Sequence, residues 1–378
     1  MDTLILSCGT GGGHNSAGAA ILHEMQRRGH NAVMLDPYTL QSDRLSLRIN
    51  RTYISMVQRS PSVFRAVYRL GDAYRHLPGR SPVYYANKRM LPAMEAYLSE
   101  HHFDAVVMPH LYPAEIFTAI RRAGLSAPKT VFVATDYACI PFTEETECDA
   151  YVIPSKELSC DFVSRGIPAA KLLPYGIPVD GAFCAARDRD EVRRALHFDA
   201  GRKYILTFGG SMGAGCIRQV VSLLLAHYDP ARVRIVAVCG SNEALRAALA
   251  EQFGDRIDLL GYTNRMADYM LASDLIVCKP GGLSSTEAAV TGTALVHLNP
   301  ISGCETANME FFRTHGMCAA VYSPRKELCA ACDELLVPAR RAEMIAEQRR
   351  CLPQSAAASL CDYLEQITQI SPSGNNLP

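Results

Sequence analysis

Three times along this chain an apolar, β-type run ends in a cluster of glycines and restarts as a helical pattern. The first junction is Ser7-Cys-Gly-Thr-Gly-Gly-Gly-His14, the second Phe208-Gly-Gly-Ser-Met-Gly-Ala-Gly215, and the third Cys278-Lys-Pro-Gly-Gly-Leu-Ser-Ser-Thr-Glu287. Glycine lets a backbone come close to a ligand. A helix start offers unbonded N–H groups and the positive end of the helix dipole. Strand, glycine turn and helix in that order belong to α/β folds built on a parallel sheet, and they suit phosphate groups.

The rest of the pattern agrees. Candidate strands, most of them buried-type runs without polar alternation, occur at 3–8, 32–35, 105–108, 130–134 and 150–153, then at 204–208, 234–238, 257–260, 275–277 and 294–298. Parallel strands covered by helices on both faces read this way. Amphipathic stretches between them, at 16–28, 113–123, 217–227, 241–253 and 284–291, are the expected helices. At 378 residues the chain exceeds the size at which single cores stop growing, about 250–300 residues. Two consecutive doubly wound units are therefore expected. The Pro- and Gly-rich stretch Lys171–Asp180 marks the boundary, giving an N-terminal domain over 1–170, a linker region over 171–200 and a C-terminal domain over 201–370 that ends in a closing helix.

Composition removes several classes. Thirty-eight Lys and Arg balance 38 Asp and Glu, which excludes a generally basic nucleic-acid binder. No run reaches the ~18 apolar residues of a membrane span, and the N-terminus enters a strand pattern without the features of a signal peptide. Many of the 14 cysteines sit inside apolar runs (Cys8, Cys239, Cys278), as reduced core residues do, so a cytosolic setting is expected. Cys329-Ala-Ala-Cys332 lacks the second pair that a structural zinc site needs, so no metal is expected.

At the third junction Gly281 and Gly282 precede a helix whose first turn carries Ser284, Ser285 and Thr286, a setting for a diphosphate. Glu287 follows. It either complements the helix dipole or accepts from two ribose hydroxyls. At the first junction Gly12 and Gly13 precede His14. Asp36 ends the second strand, where a dinucleotide fold keeps its ribose carboxylate, so an NAD reading stays open there.

Gly-Thr-Gly-Gly-Gly-His14, the loop Gly209–Gly215, and Lys279-Pro-Gly-Gly-Leu-Ser-Ser-Thr-Glu-Ala288 together resemble glycosyltransferase family 28. Within it they resemble the monogalactosyldiacylglycerol synthase and processive diacylglycerol glucosyltransferase group, along nearly the whole chain. The resemblance implies a GT-B fold, two Rossmann-like doubly wound α/β domains facing across a cleft. It implies a UDP-hexose held by the C-terminal domain, a diacylglycerol-type lipid acceptor held by the N-terminal one, inversion at the anomeric carbon, and no obligatory metal or other cofactor. It places Gly210, Ser211, Met212 and Gly213 on the diphosphate, Tyr262 and Thr263 at the uracil edge, Glu287 on the ribose, and Glu305 and Asn308 on the sugar hydroxyls.

Inversion needs a base for the acceptor's hydroxyl proton, and histidine is tuned for that near neutral pH. His14 and Asp136 are the candidates. Asp136 stands in Ala134-Thr-Asp-Tyr-Ala-Cys-Ile-Pro-Phe142, which resembles a family motif but has Ile140-Pro-Phe142 where the family often shows a His and then a Trp. A polyprenyl-linked or soluble acceptor, and a non-catalytic nucleotide-binding module, are the alternatives.

Between Asp43 and Arg89 ten basic residues face two acidic ones. Arg44, Arg48 and Arg51 share one helical face by their spacing, while Leu45, Ile49 and Met56 share another; Arg65 and Arg69 repeat the theme beside Phe64, Val67 and Tyr68. This is the pattern of a segment lying on an anionic membrane. A peripheral position on the inner face of the cell membrane is therefore expected, with no nucleic-acid partner.

Overall fold

The computed structural model describes residues 1–9, 12–59, 71, 79–210, 216–298, 300 and 303–369. They form two compact units, Met1–Gly181 with Ser355–Pro378, and Ala182–Gln354.

The first unit is built on six parallel strands: β1 (Asp2–Leu6), β2 (Asn31–Leu35), β3 (Ala105–Met108), β4 (Lys129–Val133), β5 (Ala150–Val152) and β6 (Leu172–Leu173). Their order is β2-β1-β3-β4-β5-β6. Successive side chains point to opposite faces, so each central strand feeds two cores. Leu4, Leu6, Val106, Met108 and Phe132 meet Phe117 and Phe162 on one face. Ile5, Val107, Val131, Val133 and Val152 meet Ile21 and Met25 on the other.

The second face is completed by the C-terminal helix Ala356–Gln369, whose Leu360, Cys361 and Leu364 are fully buried there. Arg28 reinforces the join, donating to Asp362 (2.6 Å), Glu365 (3.2 Å) and the Ala358 carbonyl (3.0 Å). This corrects the expected division of the chain. Residues 355–369 belong to the first unit, because the helix buries its apolar stripe on that unit's sheet. The expected linker 171–200 is likewise divided. Leu172 and Leu173 pair with Tyr151 and Val152 as β6, and residues from Ala182 onward join the second unit.

The second unit repeats the architecture with β7 (Lys203–Phe208), β8 (Val233–Val238), β9 (Asp258–Leu260), β10 (Leu275–Cys278), β11 (Ala294–Leu298) and β12 (Ala319–Val321), ordered β12-β11-β10-β7-β8-β9 and all parallel. Asp274, almost fully buried before β10, accepts from the Tyr204 N–H at 2.9 Å. Arg189, Arg193, Lys203 and Arg341 lie 3.2–3.7 Å from its carboxylate. Burial works against that charge. The Tyr204 N–H and the cations outweigh it and hold the carboxyl below its ordinary pKa. Arg189 and Arg193 also tie the helix Arg189–Ala195 to the end of the helix Met266–Ala272 through the Leu271, Ala272 and Ser273 carbonyls.

Among the described residues no helix is long and apolar enough to cross a membrane. Most of the 14 cysteines are buried.

Removing the Leu364 side chain should destabilise the first unit alone. A fully buried leucine cut to alanine costs about 2–5 kcal/mol. Hydrogen exchange of Leu364→Ala should lose protection in β1–β6 and keep it in β7–β12. Equal loss in the second sheet would contradict the assignment of this helix.

Candidate active site

In an open parallel sheet, ligands bind at the carboxyl ends of the strands where the winding reverses. In the first unit β1 lies between β2 and β3, so the reversal falls between β1 and β3. Three junctions converge there. The helix Gly12–Arg27 follows β1 and carries His14 in its first turn. Pro109 and His110 follow β3, and Thr135 and Asp136 follow β4. The helix starts earlier than the pattern at 16–28 suggests, so Gly12 and Gly13 are its first residues.

His14 Nδ1 lies 2.7 Å from the Pro109 carbonyl oxygen. A carbonyl can only accept, so Nδ1 carries the proton and Nε2 keeps its lone pair in the neutral ring. The Thr135 hydroxyl stands 2.9 Å from the same Nδ1. Withdrawal from water pushes the imidazole below its ordinary pKa, while the Asp136 charge and the Pro109 carbonyl act in the opposite direction. His14 is thus neutral at neutral pH, with a fixed tautomer and a carboxylate near enough to favour the cation that forms on proton uptake. His14 and the half-buried Asp136, the two base candidates, are thus brought together at this junction.

His110 was not singled out from the sequence. It is buried, caps the helix Leu111–Arg122, and meets the His14 ring edge to face with centroids 4.5 Å apart. Nothing in a single sequence joins residues 96 positions apart, and only the β1–β3 pairing does so. The carboxylate that kept an NAD reading open is engaged. Asp36 caps the turn Pro37–Leu40 by accepting from the Tyr38 N–H (3.0 Å), and it also accepts from the Ser46 hydroxyl (2.7 Å).

In the second unit the winding reverses between β7 and β10, and a glycine junction follows each. Gly210 has φ of 74°, a left-handed conformation that favours glycine. Ser211, Met212 and Gly213 lie outside the described residues. After β10, Gly281 is the N-cap of the helix Gly282–Thr291 and has no side chain to cap it. Of the three hydroxyls expected at this helix start, two turn inward. Ser285 Oγ is 2.9 Å from His297 Nε2 on β11, and Thr286 donates to the Gly282 carbonyl at 2.8 Å. Ser284 and Glu287 are half-buried on the same helix.

Glu305 and Asn308 lie on the helix Cys304–Thr314. Lys279 Nζ donates to Glu305 at 2.8 Å, and the fully buried Asn308 donates to the Pro280 carbonyl at 3.0 Å. Both residues therefore brace the Lys279–Gly282 turn, a role that the resemblance did not anticipate. Lys279 itself is a candidate that the reading missed, although it stands within the motif. Tyr262 is 76% exposed in the loop after β9, and Thr263 accepts there from the Arg265 N–H at 3.0 Å.

Arg44, Arg48 and Arg51 are exposed on the helix Asp43–Arg59, while Leu45 and Ile49 pack against the first unit's core. Leu47, half exposed at 52%, is on the open side. Arg65 and Arg69 lie outside the described residues.

Comparison with known proteins bears on both units. Residues 14–179 match the family model for monogalactosyldiacylglycerol (MGDG) synthase, and residues 204–347 match the glycosyltransferase family 28 C-terminal domain. A processive diacylglycerol beta-glucosyltransferase of Bacillus licheniformis is 23% identical over 373 residues, 96% of this chain and 94% of that protein. Among solved structures, Acinetobacter baumannii MurG superposes with a TM-score of 0.61 at 18% identity, covering 97% of this chain and 99% of that one. The S. aureus MnaA–UDP co-structure superposes with a TM-score of 0.63 at 13% identity, covering 98% and 97%. The fold is GT-B, two Rossmann-like domains. The chain thus matches a monogalactosyldiacylglycerol synthase model in its first unit and the glycosyltransferase family 28 C-terminal domain in its second, in that order.

Proposed function

We propose that this protein transfers a hexose from a UDP-sugar to a diacylglycerol-type lipid, with inversion, at the cytoplasmic face of the membrane. The observation that carries the proposal is the His14 Nδ1–Pro109 bond, which leaves Nε2 as an acceptor for a hydroxyl proton. The names of the relatives support the lipid acceptor, and the UDP in a structural neighbour supports the donor.

The step is a single displacement. The acceptor oxygen forms a bond to the anomeric carbon as the bond from that carbon to the UDP oxygen breaks. The electron pair leaves with the diphosphate, and the acceptor's proton passes to His14 Nε2. Asp136 favours the resulting imidazolium. The uncapped start of the helix Gly282–Thr291 directs N–H groups at the charge that develops on the leaving group, and Lys279 adds a cation at that turn. The proposal gives this charge to protein groups and needs no metal. Glu287 holds the ribose and Tyr262 lies at the uracil. Glu305 and Asn308 shape the sugar pocket through the turn they brace.

The direct test is product analysis with diacylglycerol and each of UDP-glucose, UDP-galactose and UDP-GlcNAc, in excess chelator. One donor should yield a β-linked glycolipid. His14→Ala should lower turnover about 100- to 10,000-fold, the usual effect of losing a general base, with UDP affinity retained. A variant that keeps wild-type turnover would remove His14 from the mechanism, and sugar release to water with every donor would remove the lipid acceptor.

The exposed Arg44, Arg48 and Arg51 face supports the membrane assignment. Each basic residue near an anionic surface contributes about 1 kcal/mol. Wild type should sediment with phosphatidylglycerol vesicles at low salt, and the triple Gln variant should sediment less. Equal sedimentation of the two would make this face a plain solvated one.

A further inference from the structure

His110 and Pro109 are consecutive residues at the carboxyl end of β3, and both act on His14. The Pro109 carbonyl fixes which nitrogen is protonated. His110 presents its ring to the His14 ring at an interplanar angle of 70°. Its own orientation is locked, because its Nδ1 accepts the Tyr112 N–H at 3.1 Å as the cap of the helix Leu111–Arg122. A nitrogen that accepts an N–H holds a lone pair, so the proton of the neutral ring is on Nε2. A second proton would set N–H against N–H and abolish the cap. His110 is also 5% exposed, and burial, with His14 beside it, pushes it well below the usual imidazole pKa. It is therefore a neutral wall next to the base, and the Tyr112 ring packs edge-on against it at 4.6 Å.

We propose that His110 is a positioning residue for His14: held by the helix cap, its ring sets the plane of the His14 ring and keeps water from it. The catalytic part of this inference rests on the reading of His14 as the base. Among the described residues, the titratable groups that bear on His14 are Asp136, which favours its cation, and His110. The Thr135 hydroxyl and the Pro109 carbonyl complete its surroundings. Taking the ring away admits water and leaves the Asp136 charge with less to oppose it, so His14 should take up a proton at higher pH.

Two variants separate the ring from the cap. His110→Asn keeps a side-chain acceptor for the Tyr112 N–H and removes the ring, and His110→Phe keeps a ring and removes the cap. The first readout is the NMR titration of the His14 ring in the full-length protein, which needs no substrate. The second is the pH dependence of kcat/KM. In His110→Asn the His14 midpoint and the acid limb of the rate profile should both move to higher pH. In His110→Phe the melting temperature should fall while the His14 midpoint stays near that of wild type. The inference is overturned if His110→Asn leaves the midpoint in place, or if His110→Phe moves it as far as His110→Asn does. A midpoint that responds as expected while His14→Ala retains full turnover upholds the contact and rejects the base instead.

Discussion

The hydrogen bond from His14 to the Pro109 carbonyl joins the first turn of one helix to the end of a strand 95 residues away. It exists because β1 and β3 are neighbours at the point where the sheet reverses its winding. Thr3–Ile5 pair in register with Ala105–Val107, so the two strands end side by side and their loops rise together. The apolar residues beneath them, Leu4, Leu6, Val106 and Met108 on one face, hold that register. A slip by one residue would turn every side chain to the wrong face. The setting of the imidazole thus depends on the packed sheet beneath it.

The second unit applies the same arrangement to a different end. Its reversal lies between β7 and β10, and the turn after β10 must hold a helix start open without a side-chain cap. The helix Cys304–Thr314 supplies the rigidity. The buried Asn308 satisfies the Pro280 carbonyl, and Glu305 holds Lys279. Leaving a buried polar group unpaired costs about 1–3 kcal/mol, so these contacts fix the turn. His297 does the same from β11 by bonding Ser285, with the Phe312 ring against it.

Ten of the twelve strands among the described residues were legible in the sequence, because buried parallel strands are mostly apolar runs. The two that were not are the edge strands Leu172–Leu173 and Ala319–Val321. The C-terminal helix was legible as a helix but not as part of the first unit. Its stripe of Leu360 and Leu364 states that it packs, not on what. At the site, glycine turns and His14 were visible as local patterns. The basic helix was visible too, since the spacing of Arg44, Arg48 and Arg51 separates them from Leu45 and Ile49. The His110 ring, the Pro109 carbonyl and the Lys279–Glu305 pair were not, because each is a contact between segments that only the sheet order brings together.

The proposed role of His14 depends on which ring nitrogen holds the proton, and nitrogen NMR reads that directly. In protein with 15N-labelled histidine at neutral pH, His14 should show Nδ1 at the shift of a protonated nitrogen and Nε2 at that of an unprotonated one. The opposite tautomer would mean that the Pro109 bond does not form in solution. Two protonated nitrogens would mean that the ring is already a cation. Either result would leave His14 unable to accept the acceptor's proton at Nε2 and would contradict the account.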